Sequence, residues 1–282
     1  MLKVDYSRAC DIGVMIKGFK QEISLLKHLD PQFKAVELLL KSKGAGKTAV
    51  LVVANSLVSY QLNVKGEVYW QAFAEYHARR RYVDLEGVFK GILEFMVSTG
   101  FNTRLLEQKK NRLARFLASR LARDLEENGL VFCRDLKRLS KALADLYRGG
   151  YSKTTAFAVK IYAYLCEAAG MEPCVEGLQP PLDLRNAILL CTSCIVRRQG
   201  SLGECVEAVT TKLKESSIKA LEKLCECSGL DCVSLDVFTW LVTGVLRDTG
   251  FNPRESNRLI KERFGLDISV NLLEELTRCS GG

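Results

Sequence analysis

Lys153 follows the turn Arg148-Gly149-Gly150-Tyr151-Ser152 and opens an apolar helical run, "SKTTAFAVKIYAY". A helix N-terminus is the positive end of its dipole and favours anions, so a cation there needs a reason. One reason is plain: a solvated lysine touching a phosphate. The other is chemical. The dipole and neighbouring cations disfavour a further positive charge, which suits an amine that must attack carbon and form a Schiff base. The residue types and their spacing leave both readings open.

The residues around Lys153 read as helix, tight turn, helix. Gly149 and Gly150 let a partner approach the backbone closely, since no Cβ intervenes. Backbone N–H groups of the turn and the following helix N-terminus can hold a phosphate. Lys137, Arg138, Lys141 and Arg148 add positive charge nearby. Such contacts grip a nucleic-acid backbone without reading its sequence. Phe157 lies four residues beyond Lys153, and Trp240 four beyond Asp236. Each pair therefore shares one helix face. Core packing is the usual fate of such aromatic residues. Asp183, in "PPLDLR", and Asp236 precede apolar runs and could simply cap helices. Lys160, two turns beyond Lys153, is a second amine on the same helix.

Other chemistry has less to work with. His28 and His77 are the only histidines, leaving little for histidine acid–base or metal chemistry. Cys191 and Cys194 form a C-x-x-C pair, with Cys225, Cys227 and Cys232 downstream. A zinc site needs four converging ligands. Three-residue spacing on an apolar helix instead suggests one shared buried face, so no metal is expected. Eleven cysteines in a reducing compartment would mostly be reduced core residues, though a hyperthermophile could pair them. "KSKGAGKTAV" (residues 41–50) ends like a phosphate loop, but Lys41 stands where the first glycine belongs and the stretch follows a helix. A helix–helix turn is the better reading, and no nucleotide cofactor is expected.

The elements that must position these residues are helices. Helical periodicity covers residues 31–42, 48–62, 66–81, 84–99, 104–128, 133–147 and 154–169. After the Pro/Gly-rich connector at 170–185 it resumes over 184–198, 201–228, 234–249, 253–264 and 269–277. The expected class is all-α. The 282 residues can bury a proper core. Lys and Arg number 41 against 33 Asp and Glu, and a surplus of +8 suits an anionic partner. The N-terminus lacks a signal-peptide core and no run of 18 apolar residues occurs, so an intracellular, cytoplasmic protein without membrane partners is expected.

Several blocks, in order, carry a resemblance. "DPQFKAVELLLKSKG", "NSLVSYQLNVKGEVYW", "SKTTAFAVKI", "PPLDLR", "LDVFTWLVTG" and the tail "TRCS" resemble the archaeal 8-oxoguanine DNA glycosylase/AP lyases, within the helix-hairpin-helix DNA glycosylases. The likeness runs from about Asp30 to Ser280. It implies a helix-hairpin-helix glycosylase fold of two helical subdomains with a cleft between them. One would span about 43–165 with the hairpin, the other about 1–42 plus 166–282. It implies a bifunctional base-excision repair enzyme that flips 8-oxoguanine out and then cleaves the strand. Lys153 matches the Schiff-base lysine and Asp183 the catalytic aspartate. Gln32, Phe157, Asp236, Trp240 and Trp70 match residues around the flipped base, and Asn55 matches one near the space it leaves. Arg148, Gly149 and Gly150 would hold the DNA backbone. No cofactor is implied; the partner is damaged DNA and the expected state is a monomer. The competing readings are a DNA-binding hairpin module without chemistry and a glycosylase for another oxidised base. The hairpin turn is one residue longer than the common L-x-G-x-G-x-K form, and no cysteine spacing of the iron–sulfur type is present.

Overall fold

The computed structural model describes residues 3–147, 152–197 and 200–281. Fifteen α-helices occur among them, with a single pair of two-residue strands. The class is all-α.

Two short helices come first: α1 (Tyr6–Lys17), capped by the Asp5 side chain, and α2 (Lys20–Leu26). The long α3 (Pro31–Val58) starts with Asp30 as cap and proline in the first turn. Then follow α4 (Gly66–Ala78), α5 (Leu85–Thr99), α6 (Leu106–Leu117), α7 (Arg120–Glu127), α8 (Leu136–Leu146) and α9 (Lys153–Ala168). Beyond the proline connector come α10 (Leu184–Thr192), α11 (Leu202–Thr210), α12 (Lys214–Ser228), α13 (Cys232–Asp248), α14 (Pro253–Phe264) and α15 (Val270–Thr277). The strands Lys3–Val4 and Val196–Arg197 pair antiparallel, Val4 opposite Val196.

By contact, the chain separates into two units, residues 30–177 and residues 1–29 with 178–282. The boundaries drawn from sequence put residues 30–42 and 166–177 elsewhere. The difference has a structural cause. Helix α3 continues from Pro31 to Val58 and packs on α9, carrying Gln32 into the unit that holds Lys153.

In the unit of residues 30–177, the second half of α3 is the core. Thr48 to Val58 are all buried, which suits a central helix that is apolar nearly all round. Gly44 interrupts the helix with φ +73°, a conformation glycine adopts freely. A Cβ at Gly46 would lie 2.1 Å from the Glu126 carbonyl oxygen. The lysine of this phosphate-loop lookalike, Lys47, pairs with Glu126. Its glycines serve a kink and a close helix crossing.

In the unit of residues 1–29 and 178–282, α1 packs on α12, and α10 on α11 and α13. The cysteines correct the expectation of reduced core thiols. Ten of them form disulfides: Cys10–Cys227, Cys133–Cys166, Cys191–Cys205, Cys194–Cys279 and Cys225–Cys232, while Cys174 is an exposed thiol. Cys191 and Cys194 do not share one face. Each joins a different partner, and Cys194 sits past the end of α10 at φ +62°. Among the described residues, no single helix is long and apolar enough to cross a membrane.

Candidate functional site

Lys153 is the first residue of α9 and is exposed. The described residues that flank its turn are braced. The Ser152 carbonyl accepts from the N–H groups of Thr155 (3.0 Å) and Ala156 (2.9 Å) and from the Thr155 hydroxyl (2.7 Å). From α6, Arg112 donates to the Thr154 hydroxyl at 2.6 Å and stacks on the Tyr147 ring, whose hydroxyl donates back to the Arg112 carbonyl at 2.9 Å. One arginine thus ties the end of α8 and the start of α9 to a third helix. Arg148, Gly149 and Gly150 lie outside the described residues. Lys160 is buried, its ammonium 5.6 Å from the centre of the Tyr164 ring, so the two amines of α9 differ in access.

Phe157, one turn beyond Lys153, is half-buried and meets the buried Trp70 of α4 edge to face, centroids 5.9 Å apart. Gln32 and Asn55 are also buried in this unit. The Gln32 N–H donates to Asp30, whose other carboxylate oxygen accepts from Tyr164 on α9 (2.8 Å each), so α9 fixes the start of α3. The Gln32 Oε1 has no hydrogen-bond partner, and neither has the Asn55 Nδ2. Buried polar atoms are nearly always paired, so two unmatched amide atoms in one unit call for an explanation.

The other end of the Asn55 amide is held firmly. Tyr69 donates its hydroxyl to Asn55 Oδ1 at 2.6 Å and accepts from Asn102 Nδ2 at 3.0 Å. Asn102 Oδ1 accepts in turn from the buried ammonium of Lys109. Burial pushes the Lys109 ammonium down to about 8, helped by the nearby Arg104, and raises the Tyr69 hydroxyl. This chain leaves Asn55 with its donor end outward from the network.

In the other unit, Asp183 is the N-cap of α10, accepting from the Asn186 N–H at 2.8 Å. Pro180 and Pro181 stiffen its approach. Asp236 is not a cap: Asp231 caps α13, and Asp236 is buried one turn into the helix. Trp240 follows one turn later. The Arg185 guanidinium lies 3.8 Å from the centre of its ring and donates to the Trp240 carbonyl at 2.9 Å. Asn186 donates to Asp236 Oδ1 at 2.6 Å. Asp183, Asp236 and Trp240 are thereby assembled by two neighbouring residues of α10. Lys153, Phe157, Trp70, Gln32 and Asn55 belong to the unit of residues 30–177.

Known proteins resemble this chain in sequence and fold. The family model AGOG, N-glycosylase/DNA lyase, matches residues 13–275. The chain belongs to that family. Relatives named N-glycosylase/DNA lyase include one from Aeropyrum pernix, 29% identical over 250 residues, spanning 85% of this chain and 78% of that protein. Another, from Methanopyrus kandleri, is 33% identical over 170 residues, 58% of this chain and 68% of its own. The crystal structure of the Pyrobaculum aerophilum AGOG, an 8-oxoguanine DNA glycosylase complexed with 8-oxoguanosine, has the same fold, with TM-score 0.63 and 21% identity over 90% of this chain and 96% of that one. As an AGOG N-glycosylase/DNA lyase, this protein is an intracellular DNA-repair enzyme whose substrate is damaged DNA.

Sequence reading passed over the supports of these candidate residues: Arg112, Tyr69, Asn102, Lys109, Arg185, Asn186 and Thr239. Lys109 and Arg112 stand in the charged stretch "EQKKNR", whereas Asn186 and Thr239 are polar residues inside apolar runs, which is a signal. It shows that a partner must exist without saying which.

Proposed function

We propose that this AGOG-family enzyme removes 8-oxoguanine from DNA and then cuts the strand through a Lys153 imine, acting as a monomer. The observation that carries the reading is an exposed amine in the first turn of α9 with Phe157 one turn behind it. The ligand of the Pyrobaculum aerophilum protein, 8-oxoguanosine, supports the choice of base.

The target base must leave the stack, at roughly a few kcal/mol. Phe157 and Trp240 recover part of that, at about 1–3 kcal/mol per stacked face. The unmatched Gln32 oxygen and Asn55 nitrogen are groups that the edge of a flipped base can satisfy. Trp70 backs Phe157. Breaking the glycosidic bond builds positive charge on the sugar, which the Asp183 carboxylate stabilises. The Lys153 amine bonds to C1′, the base departs with the bonding electrons, and an amine proton is lost; the C1′–O4′ bond then breaks, O4′ takes up a proton, and the opened sugar is held as an imine. The imine acidifies the C2′ proton; its removal expels the 3′ phosphate, and water later frees the enzyme. Arg148, Gly149 and Gly150 grip the backbone.

A panel of duplexes bearing 8-oxoguanine, an oxidised pyrimidine, uracil or no lesion tests the base assignment. The 8-oxoguanine strand should be excised and nicked at least tenfold faster than the others. Preference for the oxidised pyrimidine would move the assignment to that class, and binding without excision of any base would leave a DNA-binding module.

A further inference from the structure

We propose that Asn186 is a positioning residue for base excision, one buried amide that sets Asp183 and Asp236 together. The inference rests on the reading of those two carboxylates as site residues.

Asn186 is 1% exposed. Its backbone N–H donates to Asp183 Oδ1 at 2.8 Å, while its side-chain Nδ2 donates to the Pro181 carbonyl at 2.8 Å and to Asp236 Oδ1 at 2.6 Å. Its Oδ1 accepts from the Thr239 hydroxyl at 2.6 Å. The Thr239 hydroxyl is also within 3.1 Å of the Asp236 carbonyl. Both amide hydrogens are therefore used, and the two acceptors they meet, the Pro181 carbonyl and the Asp236 carboxylate, fix which end of the amide is which. A flipped amide would put its oxygen against a carboxylate and a carbonyl, three acceptors with no donor.

Helix capping alone does not explain this arrangement. The cap of Asp183 uses the backbone of Asn186, and any residue at 186 would supply that N–H. What is particular to asparagine is the reach of its side chain to Pro181, which sets the approach to Asp183, and to Asp236 on another helix. Arg185, the preceding residue, clamps Trp240 on that same helix. The start of α10 thus holds both carboxylates and the indole in one register, and catalysis tolerates little misplacement of such groups.

The test uses the full-length enzyme in single-turnover excision of 8-oxoguanine duplex, with enzyme in excess. Asn186→Ala should lower the maximal excision rate at least thirtyfold and Thr239→Val at least fivefold. The enzyme concentration giving half that rate should stay within threefold. Thr239→Ser, which keeps the hydroxyl, should restore the rate to within twofold of the parent. Equal rates for the valine and serine variants would overturn the proposal, as would a maximal rate within threefold of the parent for Thr239→Val. The isosteric valine variant decides alone should Asn186→Ala not fold. Asp183→Asn and Asp236→Asn, run alongside, separate the two levels. If both retain full excision, the reading of the carboxylates fails. If both lose it while the Asn186 and Thr239 variants do not, only the present proposal falls.

Discussion

Asp183 is the residue at which structure and chemistry are most easily confused. It caps α10, and a cap alone justifies an aspartate after two prolines. Asparagine caps a helix about as well as aspartate, so Asp183→Asn removes the charge and keeps the cap. Stability to denaturant should change by less than ~0.5 kcal/mol, while 8-oxoguanine excision falls at least a hundredfold. Unchanged turnover would reduce Asp183 to its cap. His77 offers a contrast, a titratable group with a structural part only. It is fully buried beside Phe73 and Phe95, and its Nδ1 meets the Tyr82 hydroxyl. Burial, with help from Arg80 and Lys43, pushes its imidazole down to about 3. The folded protein therefore keeps it neutral while the unfolded chain protonates it below about 6.5. Stability should fall as pH drops from about 6.5 towards 3, by up to about 1.4 kcal/mol per pH unit from this group. His77→Gln should flatten that slope in urea titrations; an identical slope would show that His77 does not set it.

Among the elements, Gly46 tests why the phosphate-loop lookalike exists. With Glu126 backbone 2.1 Å from the place of a Cβ, Gly46→Ala should cost about 1–3 kcal/mol through overpacking. A neutral result in thermal melts would mean that the crossing of α3 and α7 can yield. Helix periodicity made most elements legible, because an apolar stripe is a local property. Breaks were harder to see. Residues 104–128 carry one continuous stripe, yet the chain divides at Ala118 and Ser119, where the Ser119 hydroxyl caps α7. Residues 201–228 likewise split around Thr211, between α11 and α12. Asp183 and Trp240 stand inside the motif blocks "PPLDLR" and "LDVFTWLVTG", which is what singles them out in the sequence. The Arg185 stack on Trp240 and the amide of Asn186 were not legible, since partners 55 and 50 residues away leave no periodic trace.

For the whole molecule, covalent closure matters as much as packing. One unit is made from both ends of the chain, and Cys10–Cys227 joins them across 217 residues. Closing so long a loop restrains the unfolded chain by about 2–5 kcal/mol. Cys10→Ser should lower stability to denaturant by that amount, and no change would mean that noncovalent contacts of α1 suffice. Five disulfides in a DNA-repair enzyme are a habit of hyperthermophile proteins. The +8 charge suits the DNA that the AGOG family acts on.

The central claim is an imine between one amine and a deoxyribose carbon, and borohydride reduction during turnover reads it directly. Incubated with 8-oxoguanine duplex and borohydride, the wild-type enzyme should yield a covalent protein–DNA adduct on a denaturing gel. Lys153→Gln should yield none while holding abasic-analogue DNA within a fewfold of the parent's affinity. An adduct of undiminished yield from Lys153→Gln would place the nucleophile elsewhere and contradict the account.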